Sequence, residues 1–165
     1  GSINPKMLKN VGAKYVIIGH SENRREGESD KLINKKIRTS IKVGLKVIFC
    51  IGETLQEKRK KMTKKVLNRQ IINGLKNIKN KKNIIIAYEP VWAIGTGLIP
   101  RINDLFSSVE FIKDKIKNVK ILYGGSVAPN NIRELKTIDN IDGFLIGGAS
   151  QDPKKFIDII KKIYS

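Results

Sequence analysis

The sequence predicts an α/β fold built on a parallel β-sheet, and three observations carry that expectation. Short β-rich apolar runs alternate with longer segments of helical period, the signature of βαβ units. Each run is nearly continuous in apolar residues, as strands buried on both faces require. The apolar–polar alternation of a half-solvated antiparallel sheet is absent.

Taken in order, Asn4-Pro5 supplies a cap and a first-turn proline for a short leading helix through Leu8. Residues 15–19 form the first strand candidate. Ile33, Ile37, Ile41 and Gly44 then recur at helical spacing, and residues 46–50 form the second strand. Leu67, Ile71, Leu75 and Ile78 mark the next helix, ahead of the run Ile84–Tyr88. A further helix leads to a fourth strand at 119–123, and a shorter one at 129–138 leads to a fifth at 143–146. Phe156, Ile159, Ile160 and Ile163 make the apolar stripe of a last helix, started by Asp152 as cap and Pro153 at its first position. No linker or repeat marks a second unit, so residues 1–165 are expected to be one domain. Five parallel strands suit either an open doubly wound sheet or part of a closed barrel, and periodicity does not separate the two.

Composition narrows the function classes. No apolar run approaches the ~20 residues of a membrane span, and the mixed, polar stretch 1–10 does not read as a signal peptide. The chain opens on Gly1-Ser2 rather than methionine, so a vector-derived start or a start inside a longer chain is expected. A single cysteine, Cys50, allows no internal disulfide and is expected to be a packed, inert thiol in a reducing, cytoplasmic setting. The net charge of +18, from 33 Lys and Arg against 15 Asp and Glu, invites a nucleic-acid or anionic-lipid partner. Against this, the lysines are spread along the whole chain and few aromatics accompany them for base stacking. No nucleic acid and no membrane is expected as partner, although a positive field helps to attract a phosphorylated substrate.

The strand ends carry the chemistry. Each apolar run closes on polar or glycine-rich residues: Gly-His-Ser-Glu (19–22), Cys-Ile-Gly-Glu (50–53), Tyr-Glu-Pro (88–90), Tyr-Gly-Gly-Ser (123–126) and Gly-Gly-Ala-Ser (147–150). In parallel α/β folds this is where sites are built. Glu89 follows an apolar run and precedes Pro90, so partial desolvation would raise its pKa and suit it to act as a base. A helix cap or a rim ion pair is the alternative for a carboxylate there. If the residues after His20 begin a short helix, its positive end would keep the imidazole neutral and able to polarise a carbonyl. A hydrogen-bonded core histidine is the alternative. With one histidine in the chain, a multi-histidine metal site is excluded. Pro90, Val91, Trp92, Ala93, Ile94, Gly95, Thr96 and Gly97 form an unusually apolar loop that suits a lid over a ligand, or else a loop packed permanently on the rim. The glycine pairs at 124–125 and 147–148 let backbone N–H groups approach an anion after the last two strands.

These blocks, in this order and spacing, resemble triosephosphate isomerase over essentially the whole chain. The stretch Ala-Tyr-Glu-Pro-Val-Trp-Ala-Ile-Gly-Thr-Gly (87–97) is the most specific of them. The resemblance implies an (β/α)₈ barrel, of which this chain covers about five β/α units, strands four to eight. It implies interconversion of dihydroxyacetone phosphate and D-glyceraldehyde 3-phosphate, a step of glycolysis and gluconeogenesis, through an enediol(ate) and without a cofactor or metal. The roles it brings are the family's own: Glu89 as the proton-shuttling base, His20 as the electrophile, and Glu22 as a supporting carboxylate. Gly95, Ser126, Gly147 and Gly148 would hold the substrate phosphate through backbone N–H groups. The full-length enzyme would be a homodimer.

Two departures accompany the likeness. Asn23 stands where the family usually has an arginine, and the segment 20–30 is one residue shorter. Barrels of this kind run to ~250 residues, so the family's first three strands, with its substrate-binding asparagine and lysine, are expected to lie ahead of Gly1. An inactive barrel fragment that serves only for assembly or binding is the alternative reading.

Overall fold

The computed structural model describes residues 3–165; Gly1-Ser2, read above as a vector-derived or internal start, lie outside the described residues. Five strands form one sheet: β1 (Tyr15–Ile18), β2 (Lys46–Ile51), β3 (Ile84–Tyr88), β4 (Lys120–Tyr123) and β5 (Gly143–Phe144). Every pairing is parallel and the spatial order is β1-β2-β3-β4-β5. A doubly wound sheet reverses direction at a switch point. This sheet never reverses, which is the winding of an α/β barrel.

The connecting helices are α1 (Pro5–Asn10), α2 (Ser21–Arg25), α3 (Asp30–Lys42), α4 (Leu55–Arg59), α5 (Thr63–Gly74), α6 (Ile102–Lys115), α7 (Ile132–Leu135) and α8 (Pro153–Tyr164). Caps set several of the starts. Asn4 accepts from the Met7 N–H, Ser29 from the Leu32 N–H, and Asp152 from those of Lys154 and Lys155. Helix α4 was not foreseen; Thr54 and Glu57 form a reciprocal capping box at its head. Helix α5 stops at Gly74 rather than reaching Ile78, and the turn that follows it contains Asn77 in the left-handed conformation (φ 62°). Helix α7 is only four residues long, and Asn131 just before it turns its side chain to the preceding loop. It accepts from the Ala128 N–H and donates to the Ser126 carbonyl.

The strands are not buried on both faces, which corrects the sequence expectation. Crossovers of one hand in an unreversed sheet put all the helices on one side. That side carries Val47, Phe49, Ile84, Ile86, Ile121 and Tyr123, all 3% exposed or less. Helix α3 packs there on β1, β2 and α5, and α5 on α6. The opposite face carries Tyr15 and Ile17, 46% and 50% exposed, with half-buried Ile48 and Ile85 in register with Ile17 and half-buried Leu122 two residues further along β4. No helix among the described residues is long and apolar enough to cross a membrane.

Candidate active site

The sheet brings residues far apart in sequence to its C-terminal edge. Strand β1 ends where Gly19 turns through a positive φ of 78°. A Cβ there would meet the Cys50 carbonyl oxygen at 3.1 Å, so only glycine fits the turn that releases His20. His20 then caps α2, its Nδ1 accepting the Glu22 N–H at 3.4 Å. That bond places the ring proton on Nε2, which faces the Glu89 carboxylate at 3.6 Å. Glu22 reaches the other side of the ring, Oε2 to Nδ1 3.7 Å, from an exposed position.

Glu89 extends β3 by one rung, its N–H donating to the Ile51 carbonyl at 2.8 Å. The residue is 4% exposed, and Oε2 has no hydrogen-bond partner. A buried, unpaired carboxylate oxygen is costly and rarely retained without a use. Burial pushes the Glu89 carboxyl above its ordinary range; His20, a hydrogen bond from the Cys50 thiol and Arg24 oppose the shift, and Glu22 adds to it. Cys50 is itself buried, and burial together with the Glu89 charge drives its thiol far above the usual range, so it stays protonated at neutral pH.

The loop 90–100 leaves the sheet beside Glu89. Val91–Ala93 make a single 3-10 turn with Ala93 fully buried. The Trp92 indole donates to Glu53 Oε1 at 2.9 Å, and the Lys58 ammonium lies 3.5 Å from the centre of its ring. At the far side, Ser126 Oγ donates to the Ala93 carbonyl at 2.6 Å and accepts from the Gly97 N–H at 3.0 Å. The loop is thus tied at its base to β2 and at its tip to β4. Between the ties, Gly95 and Gly97 adopt positive φ (69° and 77°), and Gly95, Thr96, Gly97 and Leu98 are exposed.

A cavity of about 650 Å³ opens at this edge. It is lined by His20, Glu89, Ile94, Gly95, Gly97, Gly124, Gly125, Ser126, Gly147, Gly148 and Lys155, among others. The structure therefore gathers the residues singled out for chemistry around one space, except Glu22, which touches His20 from outside. Of the remaining loop residues, Pro90, Val91, Trp92, Ala93 and Thr96 do not line it. Among the described residues, no three His, Cys, Asp or Glu side chains are grouped so as to hold a metal ion.

Four contributors were missed in the sequence. Glu53 is buried at the end of β2 and accepts from the Trp92 indole and the Tyr88 hydroxyl. Burial raises its carboxyl above the ordinary range, against those hydrogen bonds and the Lys58 charge. Its signal was present, since it follows an apolar run just as Glu89 does. Gln70 bridges the Gly52 N–H and carbonyl, and its signal was a polar residue on the apolar stripe of α5. Arg24 ties the Gly19 and Cys50 carbonyls to Asp30, holding the turn beside the Asn23 departure. Lys155 sits on an exposed helix start and gave no signal.

A carboxylate and an imidazole held together over a glycine-lined cavity, at the C-terminal edge of a sheet wound in one direction, define an α/β-barrel enzyme. The family model described as triosephosphate isomerase matches residues 1–163, and the chain belongs to the triosephosphate isomerase family. Similar proteins bear that same name. The one from Thermodesulfovibrio yellowstonii is 50% identical over 98% of this chain and 69% of its own length. Those from Carboxydothermus hydrogenoformans and Mycoplasmoides gallisepticum are each 44% identical, with the same shares covered.

Proposed function

We propose that this chain interconverts dihydroxyacetone phosphate and D-glyceraldehyde 3-phosphate by proton transfer through an enediol(ate). The observation that carries the reading is the 3.6 Å approach of His20 Nε2 to a buried Glu89 with an unpaired oxygen. Glu89 is the base: its carboxylate takes a proton from the substrate carbon next to the carbonyl. The C–H electron pair becomes the enediolate double bond, and the carbonyl oxygen takes the negative charge. The Nε2–H of His20 donates to that oxygen, and the capping bond at Nδ1 keeps this tautomer in place. The former carbonyl oxygen takes the proton from His20 Nε2, the ring recovers one from the hydroxyl on the adjacent carbon, and return of the first proton from Glu89 to the former carbonyl carbon completes the isomerisation. Glu22 supports the His20 ring. Gly95, Ser126, Gly147 and Gly148 hold the phosphate through backbone N–H groups, and residues 90–97 act as a lid that excludes water from the intermediate. No cofactor takes part.

Residues 1–165 correspond on this reading to a single-domain part of the barrel, from just before its fourth strand to its end. The half-exposed apolar face of the sheet supports this, since it matches a barrel interior that further strands would cover. The complete enzyme is a homodimer in the cytoplasm. The same face favours a second reading, an inactive fragment that assembles with another chain through its open edges. Deuterium exchange into dihydroxyacetone phosphate in D2O, followed by proton NMR, separates the two. Enzyme-dependent exchange that disappears in Glu89→Gln supports the isomerase; exchange no faster than in buffer supports the fragment.

A further inference from the structure

The chain's excess of positive charge is distributed unevenly among its concave surfaces. The active-site cavity and three further ones each set lysine and arginine against aspartate and glutamate in equal number. A cavity of about 380 Å³ at the base of the loop 90–100, with Trp92 in its wall, does not. It is lined by Lys58, Lys61, Lys64 and Arg101 against Glu53 and Asp104. Both acids are already engaged. Asp104 Oδ2 lies 3.1 Å from Arg101 Nε, and Glu53 accepts from the Trp92 indole and the Tyr88 hydroxyl. Among the described residues, Lys58, Lys61 and Lys64 form no salt bridge.

Local structure holds these three lysines together. Lys58 belongs to α4 and Lys64 to the first turn of α5. Between them Lys61 takes the left-handed conformation (φ 56°), its N–H donating to the Lys58 carbonyl at 2.8 Å. Like charges gathered in this way repel, and an anion bound among them removes the repulsion. A single negative charge would leave most of theirs unanswered, whereas two or more linked phosphates would meet it. The volume suits a small molecule.

We infer that this cavity is a second anion site, separate from the active-site cavity, and that its ligand is a small compound carrying two or more phosphates. The site acts on the loop through Lys58, whose ammonium lies 3.5 Å from the centre of the Trp92 ring. A cation–ring contact is weaker than one between an ammonium and a polyanion, so the ligand draws Lys58 off the ring.

The test is a titration of the 165-residue chain with inorganic pyrophosphate at low ionic strength, read by the emission of Trp92, the chain's only tryptophan. The parent should show a saturable change. Replacing both Lys61→Gln and Lys64→Gln should weaken the affinity by roughly three- to thirtyfold, the range for two partly exposed charges facing a polyanion. Arginine at both positions should restore it. Replacing Lys60→Gln and Lys65→Gln, neighbours that do not line the cavity, removes the same charge and should leave the affinity nearly unchanged. The gap between the parent and the 61/64 variant should shrink as salt is added. No saturable change in the parent, equal affinity in the parent and the 61/64 variant, or equal losses in the two glutamine pairs overturns the inference. None of the substituted residues lines the active-site cavity, so such a failure leaves the isomerase reading untouched.

Discussion

Gly124 lies directly under the Glu89 side chain: a Cβ added to it would stand 2.7 Å from Glu89 Cγ and 2.9 Å from Oε1. The glycine after β4 therefore leaves the room in which the carboxylate of β3 is held against His20. The same Glu-Pro and Gly-Gly signals visible in the sequence are two halves of one steric arrangement.

Gly124→Ala should push Glu89 off its line to His20. An error of ~1 Å in a reacting group costs on the order of 100-fold in rate, so a fall of that size in kcat is expected. Overpacking should also cost about 1–3 kcal/mol of stability. Gly147→Ala is the contrast, since nothing lies within 4 Å of its added Cβ, and its urea midpoint should stay close to that of the parent. Urea titrations and steady-state kinetics on the two variants check both halves.

The raised Glu89 carboxyl has a definite sign in pH. The folded chain holds this proton to higher pH than the unfolded chain, so stability is present below the ordinary glutamate range and is lost as pH rises through the raised value. Glu89→Gln removes that loss. It should stabilise the fold by about 1–3 kcal/mol at pH 8, the cost of a buried unsatisfied group, and by progressively less as pH falls toward 4. Thermal melts of both proteins across this window measure it. Activity should lose its acidic limb at a higher pH than an ordinary glutamate would give.

Glu53 should act as the anchor of the loop. Glu53→Ala frees the Trp92 indole and leaves the Tyr88 hydroxyl with Ser108 alone. A loss of about 1–3 kcal/mol is expected from the broken buried network. Trp92 is the chain's only tryptophan, so its emission should shift to the red as the ring is released, and the fluorescence spectrum reports this directly.

Much of this arrangement was legible in the sequence because burial and chemistry leave opposite marks. Apolar runs located all five strands, and the residues that broke them at one end, His20, Glu89 and the glycine pairs, are those the sheet gathers. Asp152 and Pro153 placed the start of α8 correctly, since capping is local. What escaped depended on contacts between distant segments. Strand β5 covers only Gly143–Phe144, at the edge of the sheet, although the apolar run extends to Ile146. The solvated face of β1 was hidden because Tyr15 and Ile17 are as apolar as their buried neighbours. Ser126 was expected to contribute only its backbone, yet its hydroxyl ties Ala93 and Gly97 across more than 25 residues of chain.

The most direct test of the account is the rate at which the 165-residue chain converts D-glyceraldehyde 3-phosphate, compared with Glu89→Gln at pH 7.5. The account predicts turnover in the parent that falls by roughly 100- to 10,000-fold in the variant, the range for removing a general base. Turnover indifferent to the substitution would contradict it.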